Sequence, residues 1–133
     1  MSINSWKKEY YKGRVKTAAR DAMAATEHSL LKWTGLSYDN LKKHGLEKWS
    51  CGIIANPQTR AEFSVGNDEC ALCQYSTYGD EYGISCKVCP LARSSDDMTC
   101  YDCDSPYRVW ERTGDNAPMV QALQRTIAWL KEQ

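Results

Sequence analysis

Three Cys-x-x-Cys pairs between residues 70 and 103 are the residues whose types and spacing most clearly indicate chemistry. They are Cys70/Cys73, Cys86/Cys89 and Cys100/Cys103. A Cys-x-x-Cys turn directs two sulfur atoms toward one point, and two such turns supply the four thiolates of a tetrahedral zinc site. The pattern therefore predicts a structural zinc ion, because an all-cysteine site leaves no open position for catalysis.

Several ligand sets satisfy this spacing. The simplest couples the first two pairs, whose separation is typical of zinc-ribbon and treble-clef proteins, and leaves the third pair as a secondary or redox-active one. A second set mixes the first pair with later cysteines, and a third places all six, with Cys51 or a histidine, around two ions. An iron–sulfur cluster is open to four cysteines, although the spacing differs from ferredoxin runs. We predict the simplest set, with Cys70, Cys73, Cys86 and Cys89 as metal ligands and Cys100 and Cys103 as additional or substitute ligands.

The composition indicates a compartment in which these thiols stay reduced. Seven cysteines are an odd number, which disfavours complete pairing in disulfides. The first residues lack the charged and apolar regions of a signal peptide, and no apolar run approaches the length of a membrane span. We therefore expect a cytoplasmic protein with no membrane partner. One Phe against eight Tyr and five Trp indicates a modest core that a metal ion would help to stabilise.

Charge is unevenly distributed along a chain whose net charge is zero. Residues 1–48 hold ten Lys and Arg against five Asp and Glu, a net charge of plus five, and residues 49–133 hold seven against twelve, a net charge of minus five. Because phosphate binding draws on excess Lys and Arg, the acidic cysteine segment is a poor nucleic-acid surface. Nucleic acid is an alternative partner for the basic N-terminal face. That face consists of Lys7, Lys8, Lys12, Arg14, Lys16 and Arg20.

The hydrophobic pattern predicts a single α+β domain over residues 1–133. It has a helical part at 1–48, a cysteine module with short strands at 66–104, and a C-terminal amphipathic helix at 115–132 that packs on the core. The stripe of that last helix consists of Met119, Leu123, Ile127 and Leu130.

The helical part is expected to contain an αα-hairpin. Residues 14–33 form its first helix, which Gly35 ends, and residues 38–44, capped by Ser37, form its second. Outside the hairpin, we expect the aromatic residues before Gly13 to pack on a neighbour, and both histidines to be ordinary helical residues.

The middle of the chain carries the strand and turn signals. Short strands are expected near residues 51–55 and 61–65. Residues 74–85, rich in Tyr and Gly, predict a β-hairpin or Ω-like loop between two cysteine turns. Ser105 and Pro106 predict the start of a short helix.

One set of motifs resembles a known group of sequences. Cys70-Ala-Leu-Cys73, then Cys86-Lys-Val-Cys89-Pro90-Leu91, Cys100, Ser105-Pro106-Tyr107 and Trp110, resembles a small Cys-rich pattern of uncharacterised bacteriophage proteins. The stretch from Glu27 to Trp33, Gly35-Leu36, and Leu41 with His44-Gly45 is similar to the N-terminal part of the same group. The resemblance covers most of the chain and brings no activity with it. It implies a phage-encoded accessory protein, in the host cytoplasm, that binds a host protein.

The residues favour a binding protein over an enzyme. The zinc deaminase and zincin signatures are absent, and no small-molecule substrate is evident. A thiol–disulfide redox role for Cys100 and Cys103 is the best enzymatic alternative, but Asp102 and Asp104 would raise the pKa of these thiols. We therefore expect a zinc-stabilised module whose tyrosines contact a protein. These are Tyr75, Tyr78, Tyr82 and Tyr101.

Overall fold

The fold is described by a computed structural model covering residues 2–50, 52–66, 69–77, 88–96, 98–100 and 102–133. Helices predominate, and one small antiparallel sheet confirms the α+β class. The N-terminal helices are α1 (Ile3–Tyr10), α2 (Val15–Ala18), α3 (Ala22–Thr34) and α4 (Tyr38–Lys43). The strands are β1 (Glu47–Trp49), β2 (Ile53–Ala55) and β3 (Glu62–Ser64). The later helices are α5 (Ala71–Thr77), α6 (Pro90–Arg93), α7 (Pro106–Thr113) and α8 (Ala117–Lys131).

Helix α3 is the central element, and it packs mainly against α8 and α5. Its buried face consists of Ala25, Thr26, Ser29, Lys32 and Trp33. The small residues of this face let the neighbouring helices approach closely. The prediction of one continuous helix over residues 14–33 is wrong, because the chain breaks between α2 and α3. The Asp21 side chain caps α3 there by accepting a hydrogen bond from the Ala24 amide at 2.7 Å.

The C-terminal end of α3 is held by side chains from three distant parts of the chain. Trp6 Nε1 donates to the Gly35 carbonyl at 2.8 Å, and Trp110 Nε1 donates to the Leu36 carbonyl at 3.0 Å. Asn116 Nδ2 donates to a third carbonyl, that of Trp33, at 2.8 Å. Trp33 lies in the last turn of α3, and Gly35 and Leu36 directly follow the helix. These three bonds therefore fix α1, α7 and the start of α8 against the C-terminal end of α3.

The aromatic residues of α1 pack inward, as predicted. Trp6 is fully buried and Tyr10 is 7% exposed. Tyr10 lies directly on Gly35, where a Cβ atom would come within 2.3 Å of the Tyr10 Cγ. Gly35 ends α3, as expected, and it is also required by this contact.

Helix α4 and the sheet follow as one unit. The Ser37 side chain caps α4 by accepting a hydrogen bond from the Asn40 amide at 3.1 Å, as predicted. However, α4 packs chiefly on β1 rather than pairing with α3, so it does not form the expected αα-hairpin. The strand order is β1-β2-β3, and Ile54 in the central strand pairs with Lys48 and Phe63. The sequence indicated β2 and β3 but not β1.

The C-terminal helices follow their predicted starts. The Ser105 side chain caps α7 by accepting from the Arg108 amide at 3.3 Å, with Pro106 in the first turn. In α8, Met119 and Leu123 are buried, as predicted. Ala122 and Thr126 complete the buried face of α8, whereas Ile127 and Leu130, which were predicted to belong to it, are only half-buried.

None of the helices in the described ranges is both long and apolar enough to cross a bilayer.

Candidate metal centre

Four cysteines from three separate segments line one cavity of about 280 Å³. Cys70 immediately precedes α5, and Cys73 lies in its first turn. Cys89 is the N-cap residue of α6. Cys100 lies before α7, where its carbonyl accepts a hydrogen bond from the Ser105 hydroxyl at 3.0 Å. The remaining described cysteine, Cys103, is exposed.

The predicted ligand set is thus only partly visible. Cys70, Cys73 and Cys89 of that set are brought to the same cavity, and so is the predicted substitute Cys100. Cys86 and Cys51 lie outside the described residues. The membership of Cys86 in the ligand set stays a prediction.

The local structure around the cysteines is helical. The prediction of a hairpin or loop from residue 74 is wrong for residues 74–77, which belong to α5, and residues 78–87 lie outside the described part of the chain. The described residues of the cysteine module contain α5 and α6, whereas the described strands precede it at residues 47–64. A thiol before the first turn of a helix faces backbone amides, which favour a thiolate.

The sulfur atoms are electrostatically coupled. A hydrogen bond from Cys73 is the main cause that lowers the pKa of Cys70 well below its ordinary value, and the Lys32 charge lowers it further. The same Cys70–Cys73 bond raises the pKa of Cys73, with burial and the negative charges of the other cavity cysteines adding to the effect. Burial raises the pKa of Cys89. The cavity by itself therefore favours the thiolate form of Cys70 over that of Cys73 or Cys89.

The donor chemistry fits zinc, since thiolates are the ligands of structural zinc sites. Within the described ranges, however, no three or more His, Cys, Asp and Glu side chains are arranged so that they could hold a metal ion. The four sulfurs share a cavity without converging on one point. Metal binding would therefore draw them together, and it would join α5, α6 and the start of α7.

Two residues of α3 form the polar wall of this cavity. Ser29 Oγ lies 3.9 Å from Cys70 Sγ, and the fully buried Lys32 lines the same space. The cysteine spacing indicated neither residue, because Ser29 and Lys32 precede Cys70 by 41 and 38 residues. A signal was nevertheless present, because Lys32 follows Ser29 by one helical turn on the face that also carries Ala25.

The histidines lie in different surroundings. Both ring nitrogens of His28 are buried without a hydrogen-bond partner in the part of the chain that the structure describes. Its ring meets Tyr11 edge-on, with centroids 4.7 Å apart, and burial lowers its pKa. His28 as a whole is partly exposed, as its helical position predicted, although its two ring nitrogens are buried.

His44 belongs to a Ser–His–Glu arrangement that serves helix capping rather than catalysis. Its Nδ1 lies 2.8 Å from Ser5 Oγ, and its Nε2 lies 3.1 Å from Glu9 Oε2. The Ser5 hydroxyl already donates to the Ser2 carbonyl and accepts from the Ser2 amide, both at 2.9 Å, in the capping box of α1. A hydroxyl held in this way is not free to act as a nucleophile.

The basic N-terminal face is partly engaged in internal contacts. Lys7 Nζ lies 4.8 Å from the centroid of the Phe63 ring. Arg20 donates to the Thr17 carbonyl at 3.0 Å and lies 3.8 Å from the Asp21 carboxylate. The exposed cations of this face are Lys8, Lys12, Arg14, Lys16 and Arg20.

Comparison with protein-family models, curated proteins and solved structures gives no match for this chain. The class of protein is therefore inferred from the chain's own residues. What they define is a small helical α+β domain with a cysteine-lined cavity beside its central helix.

Proposed function

We propose that the cysteine-lined cavity binds a zinc ion that stabilises the fold, and that the stabilised domain is an accessory factor that binds and modulates a protein of a bacterial host. The observation that supports the metal is the meeting of four cysteines from three segments at one cavity. Cys70, Cys73 and Cys89 are the proposed core ligands. Cys86 completes the tetrahedron, or Cys100 takes its place.

The proposed role of zinc is structural. Cys70 and Cys73 belong to α5, which packs on α3, whereas Cys89 begins α6, which packs on α8 as well as α3. An ion bound by these sulfurs links two short helices, since α5 has seven residues and α6 only four. Such a link contributes metal-binding free energy directly to folding.

The proposed partner is a protein because of the surface beside the cysteines. Val88 is 49% exposed and Met98 is 39% exposed. Val88 directly precedes Cys89, and Met98 lies two residues before Cys100, so both apolar side chains lie next to cysteines of the cavity. The half of the chain that carries them has a net charge of minus five. Exposed apolar side chains on an acidic surface suit a protein partner better than a nucleic acid.

The metal is tested by zinc analysis of protein purified under reducing conditions. We expect about one equivalent of zinc, the stoichiometry of a four-cysteine site. Replacing both Cys70 and Cys73 by Ser should abolish binding, whereas the control Cys103→Ser should retain it, because Cys103 is exposed. A zinc content below about half an equivalent in the unaltered protein would contradict the proposal.

The partner is tested by capture from a bacterial lysate with the zinc-loaded protein as bait. Val88→Asp with Met98→Asp should lose the captured protein, because both charges fall on the proposed contact. The control Tyr38→Asp changes a side chain that is 70% exposed on α4, and it should retain the partner. If the bait instead captures nucleic acid, and if that binding is lost as salt rises from about 50 to 200 mM, the result would support nucleic-acid binding by the basic N-terminal face.

A further inference from the structure

Lys32 is an unusual residue for the interior of a small domain. Its side chain is fully buried on the inner face of α3, in the last turn of the helix. Its Nζ donates to the Val65 carbonyl at 3.1 Å and lies 5.5 Å from the centroid of the Trp33 ring. An ammonium group has three donors, and a buried one is costly unless a negative charge compensates it.

The described carboxylates do not supply that charge. The ion pairs found among the described residues are Arg20–Asp21, Lys43–Glu9, His44–Glu9 and Arg108–Glu111. None of them involves Lys32. The described residues that line the cavity with Lys32 include no Asp or Glu, and the other cation among them, Arg108, has Glu111 as its partner at 3.0 Å.

Among the described residues that line this cavity, the cysteines are the groups that can most readily carry negative charge. Cys70, Cys73, Cys89 and Cys100 line it together with Lys32. A divalent ion with four thiolates has a net charge of about minus two, and burying that charge requires a compensating cation nearby.

We propose that Lys32 is the built-in counter-charge of an all-thiolate metal centre, and that it increases the affinity of the cavity for a divalent ion bound by four cysteines. This inference rests on the proposed metal function and specifies its ligand class. A centre in which His28 replaced one thiolate would be less negative and would gain less from Lys32. The lysine is thus a positioning residue that acts through the sulfurs, with Nζ held in place by the Val65 carbonyl.

The chain offers a closely matched control for this lysine. Lys48 also donates from Nζ to a backbone carbonyl, that of Glu111, at 2.8 Å. It also lies above an indole ring, 5.7 Å from the centroid of Trp110. Lys48 is not among the residues that line the cysteine cavity. Lys32→Met and Lys48→Met therefore remove similar contacts, from a fully buried lysine and a half-buried one, and they differ in the group that the charge faces.

The experiment measures zinc affinity of the full chain by competition with a chelator, together with the thiolate-to-metal absorption of the cobalt(II)-loaded protein. Lys32→Met is expected to weaken zinc binding about ten- to a hundred-fold, the usual cost of removing a residue that supports metal ligands. Lys48→Met should leave the affinity unchanged. Lys32→Arg, which keeps the charge, should retain most of the affinity and the same cobalt(II) spectrum.

The outcomes separate the two proposals. If the unaltered protein binds neither metal, the proposed metal function fails, and the inference fails with it. If the unaltered protein binds zinc and Lys32→Met binds it as tightly as Lys48→Met, the Lys32 inference alone is overturned. If Lys32→Met does not fold, the zinc affinity of Lys32→Arg is the deciding measurement, because an affinity close to that of the unaltered protein supports a counter-charge role for Lys32. Weak binding or loss of folding in Lys32→Arg contradicts that role.

Discussion

The bond from Trp110 to the end of α3 allows the sharpest test of the fold. Trp110 is fully buried, and its Nε1 donates to the Leu36 carbonyl at 3.0 Å. Its ring also meets that of Trp33 edge-on, with centroids 5.1 Å apart. Trp110→Phe removes the donor and part of the ring while it leaves an aromatic side chain in place.

The expected cost has two parts. A buried carbonyl left without its donor costs about 1–3 kcal/mol. The smaller ring leaves unfilled space in the core, which costs about 1–2 kcal/mol for a large-to-small change of this modest size. The free energy of unfolding should therefore fall by about 2–5 kcal/mol.

Urea denaturation followed by circular dichroism measures this difference. Trp49→Phe is the matched control, because the Trp49 indole donates to Glu47 Oε1 at 2.9 Å in an exposed hydrogen bond. The control should change the free energy of unfolding by no more than about 0.5 kcal/mol. If Trp110→Phe cost no more than Trp49→Phe, the anchoring of α3 by buried side-chain donors would be refuted.

Three further predictions concern other parts of the molecule. Gly35→Ala should destabilise the protein by about 1–3 kcal/mol, since its Cβ would lie 2.3 Å from Tyr10 Cγ. Gly66→Ala, whose nearest contact among the described residues is Ser64 Oγ at 3.5 Å, should be close to neutral in the same thermal melts, and equal effects would contradict the packing of Tyr10. Hydrogen bonding from Lys43 is the main cause that lowers the pKa of Glu9 from 4.5 to about 2. The stability that the Glu9 carboxylate contributes should therefore be complete above pH 4.5 and lost as the pH falls through 2. In an acid titration Glu9→Gln should lose less stability than the unaltered protein, and an unchanged profile would exclude Glu9 as the source of the acid sensitivity. Chelator treatment should unfold α5 and α6 and reduce the helical circular dichroism signal, with recovery on adding zinc, and an unchanged spectrum would contradict a structural metal.

Local signals predicted the parts of the fold that depend on neighbouring residues. Ser37 and Ser105 cap α4 and α7 as their positions suggested, because a cap is formed by residues three positions apart. The grouping of Cys70, Cys73 and Cys89 at one cavity also agrees with the spacing. The capping residues are close in sequence to the amides they bind, and the cysteines follow the Cys-x-x-Cys spacing of metal sites.

Tertiary contacts decided what the sequence did not indicate. The break before α3 depends on Asp21, whose capping role competes with an Ala-rich pattern that favours one continuous helix. Burial of α8 is set by α3 and α6, so Thr126 takes an inward position, where its hydroxyl lies 2.8 Å from Ser94 Oγ. The cavity wall formed by Ser29 and Lys32 depends on α3 and α5 meeting, which a periodic pattern does not specify.

The three donors at the end of α3 have a consequence for the order in which the chain assembles. They are separated in sequence from their acceptor carbonyls by 29, 74 and 83 residues. Contacts across such distances form slowly, because a long loop must close before they stabilise anything. Cys70 and Cys73, by contrast, are within one turn of each other and can meet early. The closure of both chain ends onto α3 is thus suited to be a late step of folding, after contacts within a single turn have formed.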